Sequence, residues 1–508
     1  MKKILVLCMG FIGMPLIFAQ ELDVSDAVRY SMDEIQGSAR FRAMSGAFGA
    51  LGGDMSSVNI NPAGSVIFNN SHASLSFSST KKDNNVGYFN GLNSTSNSNF
   101  DLNQLGAAFI FRNNNLDSPW TKFSLSIAYD RSANFDDNWV ASGVNTNTSI
   151  VEYFYNYADG KRLDEISALP GESLGEAYSE IGSIFGFENQ QAFLGFEGFI
   201  LDPVQDTDDN TSYIRNINGT NFNQRYSYAS RGYNGKLAFN AATSYNDRFY
   251  FGLNLNSHFI NFERSTFFSE SNANASSTVT DVDFENNLLT TGSGFSFQLG
   301  GIAKISEELR VGVSYNSPTW YRISDETSQY LATTRIENGN SVNTVINPNV
   351  INLFEEYRLQ TPGKVTGSLA YIFGSQGLLS FDYSVKDYSS AEFRPASDAF
   401  FSALNTELSD QLETSTSYKF GGEYRFKQLS FRGGYRFEES PYKNDNFYGD
   451  LTGYSLGLGY SFGDFSIDMA FSQAERDINY QLYSVGLTDT AFIESKFTDV
   501  ILTLAFSI

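Results

Sequence analysis

The chain has 508 residues and a formal net charge of −23, with 34 Lys+Arg against 57 Asp+Glu. Aromatics make up 15% of it, with 46 Phe and 29 Tyr. That load excludes a disordered chain, and so acidic a balance speaks against a nucleic-acid binder, which needs clustered Lys and Arg on phosphates.

Residues 1–20, MKKILVLCMGFIGMPLIFAQ, carry Lys2 and Lys3 after the first Met, run apolar from Ile4 to Phe18 and end in Ala19-Gln20, with Ala19 the small residue. They read as a secretory signal peptide over 1–19, cut after Ala19. The only cysteine, Cys8, falls inside it, so the mature chain is expected to form no disulfide and no thiolate metal site. No later stretch reaches the roughly 18–20 consecutive apolar residues of a membrane helix.

Residues 20–70 do not alternate. GSARFRAMSGAFGALGGDMSSVNINPAGS, from Gly37 to Ser65, is dense in small residues. The pattern predicts a short helix near Met44–Leu51 and a turn at Asn61-Pro62. Placed ahead of the first strand, this segment is expected to be a plug folded inside a lumen, where Gly and Ala let backbone lie close against a wall.

From about residue 71 the pattern has a period of two. Leu456, Leu458, Tyr460 and Phe462 alternate with Ser455, Gly457, Gly459 and Ser461, and Val500, Leu502, Leu504 and Phe506 alternate with Ile501, Thr503, Ala505 and Ser507. One face is bulky and apolar and the other small and polar, as in a strand between lipid and a polar lumen. Fourteen such segments are predicted, at roughly 71–80, 103–113, 119–132, 234–246, 248–264, 290–305, 308–320, 354–373, 377–389, 412–427, 428–440, 450–463, 464–478 and 494–508. Most are long enough to cross a bilayer tilted, which takes about 9–11 residues. Tight turns such as Asn246-Asp247, Lys427-Gln428 and Gly463-Asp464 alternate with longer polar loops. Sandwich strands of about five or six residues would not keep that rhythm. The expected fold is all-β: a 14-stranded antiparallel transmembrane barrel over 71–508, in the outer membrane and in contact with its lipid, with an N-terminal lumenal plug and long extracellular loops.

The longest connection, 133–233, is read as an extracellular loop with short helices. Ser173 and Glu176 make a capping box ahead of Leu174, Ala177, Tyr178, Ile181 and Phe185, which share a helical face. Phe185, Phe187, Phe193, Leu194, Phe196 and Phe199 then form an apolar cluster that must be covered or bind something. It is the candidate landing surface for a hydrophobic ligand, and it is equally read as packing of the loop onto the barrel rim.

Catalytic and cofactor chemistry is not indicated. His72 and His258 lie in predicted strands with no Ser–His–acid spacing to be read. The acidic runs 206–210 and 443–446 lack the spacing of a calcium loop. No metal site, no nucleotide loop and no enzyme is expected.

The plug segment with its Asn61-Pro62-Ala63-Gly64 step resembles the FadL/TodX family of outer-membrane transporters for hydrophobic compounds. LRVGVSYNSPTWY (309–321), TPGKVTGSLAYIF (361–373) and LLSFDYSVKDYSS (378–390) are similar to its barrel strands, and AFLGFEGFILDP (192–203) resembles its Bacteroidetes branch, often labelled haemin receptor. The resemblance implies passive uptake of a long-chain fatty acid-like molecule: the plug blocks the pore, shifts, and releases ligand sideways through a gap beside a kinked third strand. Asn61, Pro62, Ala63 and Gly64 would lie on the plug. The third strand, 119–132, shows no kink in its sequence, and Arg40 and Arg42 are candidates for charge packed inside the lumen. The family also contains PorV-like barrels that shuttle cargo for type IX secretion, in which case the apolar loop would dock a protein partner.

Overall fold

The computed structural model describes residues 22–115 and 117–508. The expected signal peptide and Cys8 lie outside the described residues. Fourteen long strands close on themselves. They are β1 (His72–Tyr88), β2 (Gly91–Arg112), β3 (Trp120–Asn134), β4 (Phe222–Tyr245), β5 (Phe249–Ser271), β6 (Val279–Lys304), β7 (Leu309–Asn316), β8 (Lys364–Phe373), β9 (Gly377–Asp387), β10 (Thr414–Phe426), β11 (Leu429–Glu438), β12 (Leu451–Ser461), β13 (Phe465–Gln481) and β14 (Thr490–Ser507). Each pairs antiparallel with the next, and β14 returns to β1 from His72↔Ser507 to Gly87↔Phe492. Closure leaves no free edge around the ring, which is what hydrocarbon requires of a strand.

The alternation read from the sequence decides which face meets lipid. In β12, Tyr454, Leu456 and Leu458 are exposed while Gly453 and Ser455 are buried toward the interior. Trp120, Phe249, Phe373, Phe426 and Phe462 stand exposed beside the tight turns. They make an aromatic girdle at the end of the barrel that the short-turn rule assigns to the periplasm. Phe dominates this girdle more than the usual Tyr and Trp.

Several strands outrun the apolar pattern. The sequence leaves 81–102 as a connection, yet β1 and β2 stay paired up to Tyr88↔Gly91. The exposed face of this hairpin is polar, with Lys81, Asn85, Ser94, Ser96 and Ser98, so no apolar alternation marks the strand, although Val86 and Tyr88 on the other face are buried in the loop core. Beyond β7 the chain bends at 317–319 and continues as Trp320–Glu337, which pairs with the upper half of β6. The neighbouring strand bends alike between Tyr357–Gln360 and β8, and Thr361 N donates to Thr319 O at 3.0 Å across the two bends.

The loop after β3 folds as α3 (Val151–Ala158), α4 (Leu174–Phe185) and α5 (Phe187–Glu197). Ser173 and Glu176 form the expected capping box at the start of α4. These helices share one apolar core with the strand extensions, including Phe154, Phe193, Leu194, Phe268, Phe284 and Leu331. A second core joins α1 (Val24–Ser31) to α6 (Ala399–Gln411) and the wall residues Phe262, Ile323 and Leu359.

The lipid-facing assignment gives an expected outcome. Leu456→Arg, on the exposed face of β12, should lower the unfolding free energy by about 2–4 kcal/mol if it sits near the midplane, read as a shift of the urea midpoint in lipid vesicles.

Candidate functional site

Residues 22–70 run down the inside of the barrel and are held there by inward-facing polar side chains. At the top, Lys364 reaches Asp33 at 2.7 Å and Lys386 reaches the Ser31 carbonyl. Lower down, α2 (Ala39–Ala43) is capped by Ser38, whose Oγ accepts from Phe41 N at 3.1 Å. The predicted helix at Met44–Leu51 is displaced: it ends at Ala43, because Ser45 (φ 50) and Gly46 (φ 74) take left-handed backbone and Gly46 N turns back to Phe41 O at 3.0 Å. Phe48 N and Gly49 N both donate to Asp382 at 3.0 Å.

The strongest charge contact gathers three arginines on one carboxylate. Glu423, with no exposed side chain, takes Arg40 at 2.9 Å, Arg425 at 2.5 Å and Arg432 at 2.6 Å. Burial opposes the charge on Arg40, but Glu423 beside it holds the guanidinium above its ordinary value. Arg42 pairs with Asp499 and donates to Ser472 Oγ at 3.0 Å. Both plug arginines are thus spent on wall carboxylates, the packed-charge role expected of them.

The Asn61-Pro62-Ala63-Gly64 step begins a short 3-10 helix, Pro62–Ile67, with Asn61 as its cap. Asn61 Oδ1 accepts from Ala63 N at 3.1 Å, and its amide donates to Gly49 O at 2.7 Å and Gly301 O at 3.1 Å. Asn240 Nδ2 donates to Pro62 O at 2.9 Å. The wall opposite is glycine: a Cβ on Gly252 would strike Pro62, one on Gly300 would strike Asn61 and Pro62, and one on Gly312 would strike Gly49. Gly64 packs the same way within the segment, against Gly52 and Ser57. Inward glycines in FYFGLNLN, FQLGGIAK and LRVGVSY were the available sequence signal for this contact, since Gly inside a strand marks close backbone approach.

The wall is not paired all the way up. β2 and β3 share a ladder only from Arg112↔Lys122 to Gln104↔Asp130. Above that, β3 bulges at Ser132 and follows β4, and its continuation Asp137–Asn145 also pairs with β4 alone. The third strand thus carries a bulge that its sequence did not reveal. The plug fills in for the missing ladder. Glu34 N donates to Ser132 O at 3.0 Å, Asn134 N donates to the Glu34 carboxylate at 3.1 Å, and Asn59 contacts Asp130. On the other edge, Asn103 Nδ2 donates to Gly37 O at 2.8 Å. Higher still, side chains of the two strands bridge the gap directly, among them Arg131 to Asp101, Asn99 to Asp136, and Thr95 Oγ1 to Asn138 O at 2.7 Å. A cleft of about 430 Å³ lies at that level, lined by Thr95, Ser96, Trp139, Tyr228 and Phe267.

The apolar loop cluster divides. Phe193 and Leu194 are fully buried in the loop core, so those two pack the loop. Phe185 and Phe196 are half-buried against the same core, and Phe199 is exposed beneath the Arg335 guanidinium at 3.8 Å. Phe187 lines a pocket between the loop and the top of the plug, with Leu22, Tyr30, Leu288, Phe354 and Tyr357. Its accessible space is about 30 Å³, room for a water and not for a ligand.

A family model described as outer membrane protein transport protein (OMPP1/FadL/TodX) matches residues 209–484. Among solved structures, a Pseudomonas aeruginosa FadL homologue is similar at 12% identity, covering 94% of this chain and 99% of its own, with a TM-score of 0.53. The Pseudomonas putida toluene transporter TodX is similar at 12% identity over 94% of this chain and 100% of its own, also at 0.53. At that identity the likeness concerns the fold. No curated protein matches by sequence.

Gly300→Val gives a direct check of plug seating. The added side chain should push Asn61-Pro62 off the wall, raising ion conductance in planar bilayers well above that of the parent while the barrel stays heat-modifiable on gels.

Proposed function

Because the chain belongs to the outer membrane protein transport protein (OMPP1/FadL/TodX) family, we propose that it moves hydrophobic molecules of the long-chain fatty acid type passively into the outer membrane, by a shift of its plug and release through the wall. The observation that carries this reading is the seam between β2 and β3, stapled by plug residues in place of a ladder. Glu34, Gly37 and Asn59 belong to the same segment that blocks the lumen. A displacement that opened a path past the plug would therefore withdraw the contacts that seal the seam.

The energetics fit a spontaneous device. Each plug staple is a single hydrogen bond worth about 0.5–1.5 kcal/mol net, more where charged, and the remaining contacts across the seam are side-chain ones such as Arg131 to Asp101, with no backbone ladder to break. The rest of the ring is held by backbone ladders. An apolar solute leaving by the seam enters lipid without crossing water, which suits a hydrophobic cargo and not a polar one. Phe185, Phe187, Phe196 and Phe199 are the landing residues in this reading. Phe187 is the one that reaches the closed pocket over the plug. No observation favours the secretion-shuttle alternative, and the haemin label is not carried over.

The test uses a chain whose one native cysteine lies in the expected leader. Asn93→Cys with Ser142→Cys, whose side chains touch across the seam at 3.0 Å, should form a disulfide there. Uptake of a labelled long-chain fatty acid by cells carrying the oxidised pair should fall to background and return on reduction. Full uptake with the bond formed would sink lateral release. Phe187→Ser should lower uptake several-fold by removing the apolar step above the plug.

A further inference from the structure

The periplasmic end of the lumen holds a cavity of about 820 Å³ beneath the plug, within the size range of ligand pockets. Six basic side chains line it, Arg40, Arg112, Lys122, Lys304, Arg310 and Arg425, against one acid, Asp247. In a chain of net charge −23 this is no by-product of composition.

Two of the six, Arg40 and Arg425, are spent on Glu423. The other four make no ion pair among the described residues. They donate only to neutral groups or rest on a ring: Arg112 to Asn69 O at 2.7 Å, Arg310 to Leu51 O at 3.1 Å, and Lys304 over the Tyr250 ring at 5.3 Å. The Arg310 Nε is buried without a partner. Asp247 is already engaged by the hydroxyls of Thr121 at 2.7 Å and Ser244 at 3.1 Å.

Register makes the arrangement costly. Arg112 faces Lys122 directly across the β2–β3 ladder, and Lys304 faces Arg310 directly across β6–β7. Like charges directly opposite on paired strands destabilise a sheet, and here two such pairs look into one cavity. The upper part of the same cavity is apolar, with Leu51, Ile67, Ile372 and Leu378 in its lining.

We infer that this vestibule binds an anionic amphiphile, a carboxylate or phosphate head among Arg112, Lys122, Lys304 and Arg310 with its aliphatic chain against the apolar underside of the plug. Guanidinium forks suit either oxyanion. The head could come from a free fatty carboxylate or from an inner-leaflet phospholipid, and the site stands whether or not the seam releases cargo.

The experiment measures binding of labelled laurate to the protein in nanodiscs of zwitterionic lipid, with dodecanol as the uncharged analogue. Laurate should bind at least tenfold more tightly than dodecanol. Lys304→Gln with Arg310→Gln, and separately Arg112→Gln with Lys122→Gln, should each abolish that preference and leave dodecanol affinity unchanged. Both double variants should melt at or above the parent temperature, because repulsion is relieved, while Lys304→Arg keeps laurate binding. Displacement by phosphatidylglycerol in the disc would assign the head to membrane lipid, and resistance to it would assign a free carboxylate. Equal binding of laurate and dodecanol, or laurate binding unchanged in both double variants, would overturn the site. A fall in melting temperature with unchanged binding would overturn it too, by showing the four cations to be structural.

Discussion

Hydrocarbon offers nothing for a peptide N–H or C=O to bond, so a strand crossing a membrane must be paired on both edges. The rest of this structure follows from that requirement and from the one place where it is met differently. The strands pair antiparallel all the way round the ring. The β2–β3 junction stops at Gln104↔Asp130, and there side chains and the backbone of the N-terminal segment take over.

The interior follows a complementary rule. Polar wall side chains that would be idle in an empty lumen bond the plug instead: Asp382 takes two plug N–H groups, Asn254 and Gln298 donate to carbonyls of residues 58–60, and Glu423 gathers Arg40 with two wall arginines. Removing Glu423 would leave Arg40 in the lumen without its ion pair, while Arg432 would keep Asp468. The upper segment is held by the apolar core around α1 and by ion pairs such as Lys364 to Asp33, and the lower by close backbone contact at Gly252, Gly300 and Gly312.

Charge is distributed against composition. The acidic excess is spread over extracellular loops and wall pairs, while the periplasmic vestibule collects six cations, four of them without an ion pair among the described residues. Like charges held opposite one another are retained against their own repulsion only if something else offsets it, and a bound anion does so directly.

The sequence by itself determined the strand number, the lipid-facing register, the tight-turn end and the capping box of α4, because each is a local pattern in which every second residue meets lipid or a turn demands a particular residue. It showed a small-residue segment ahead of the barrel but put its helix at Met44–Leu51 rather than Ala39–Ala43, since the left-handed turn at Ser45 and Gly46 is imposed by the wall. It gave Phe193 and Leu194 the same standing as Phe187, because a hydrophobic run carries no sign of which member faces a core and which a pocket. Only the tertiary structure decided the seam, the glycine contacts and the cation pairs. Each joins residues far apart in the chain, Glu34 to Ser132, Asn61 to Gly301 and Lys304 to the cavity shared with Arg112. Such meetings depend on how the barrel closes, and no local pattern records that.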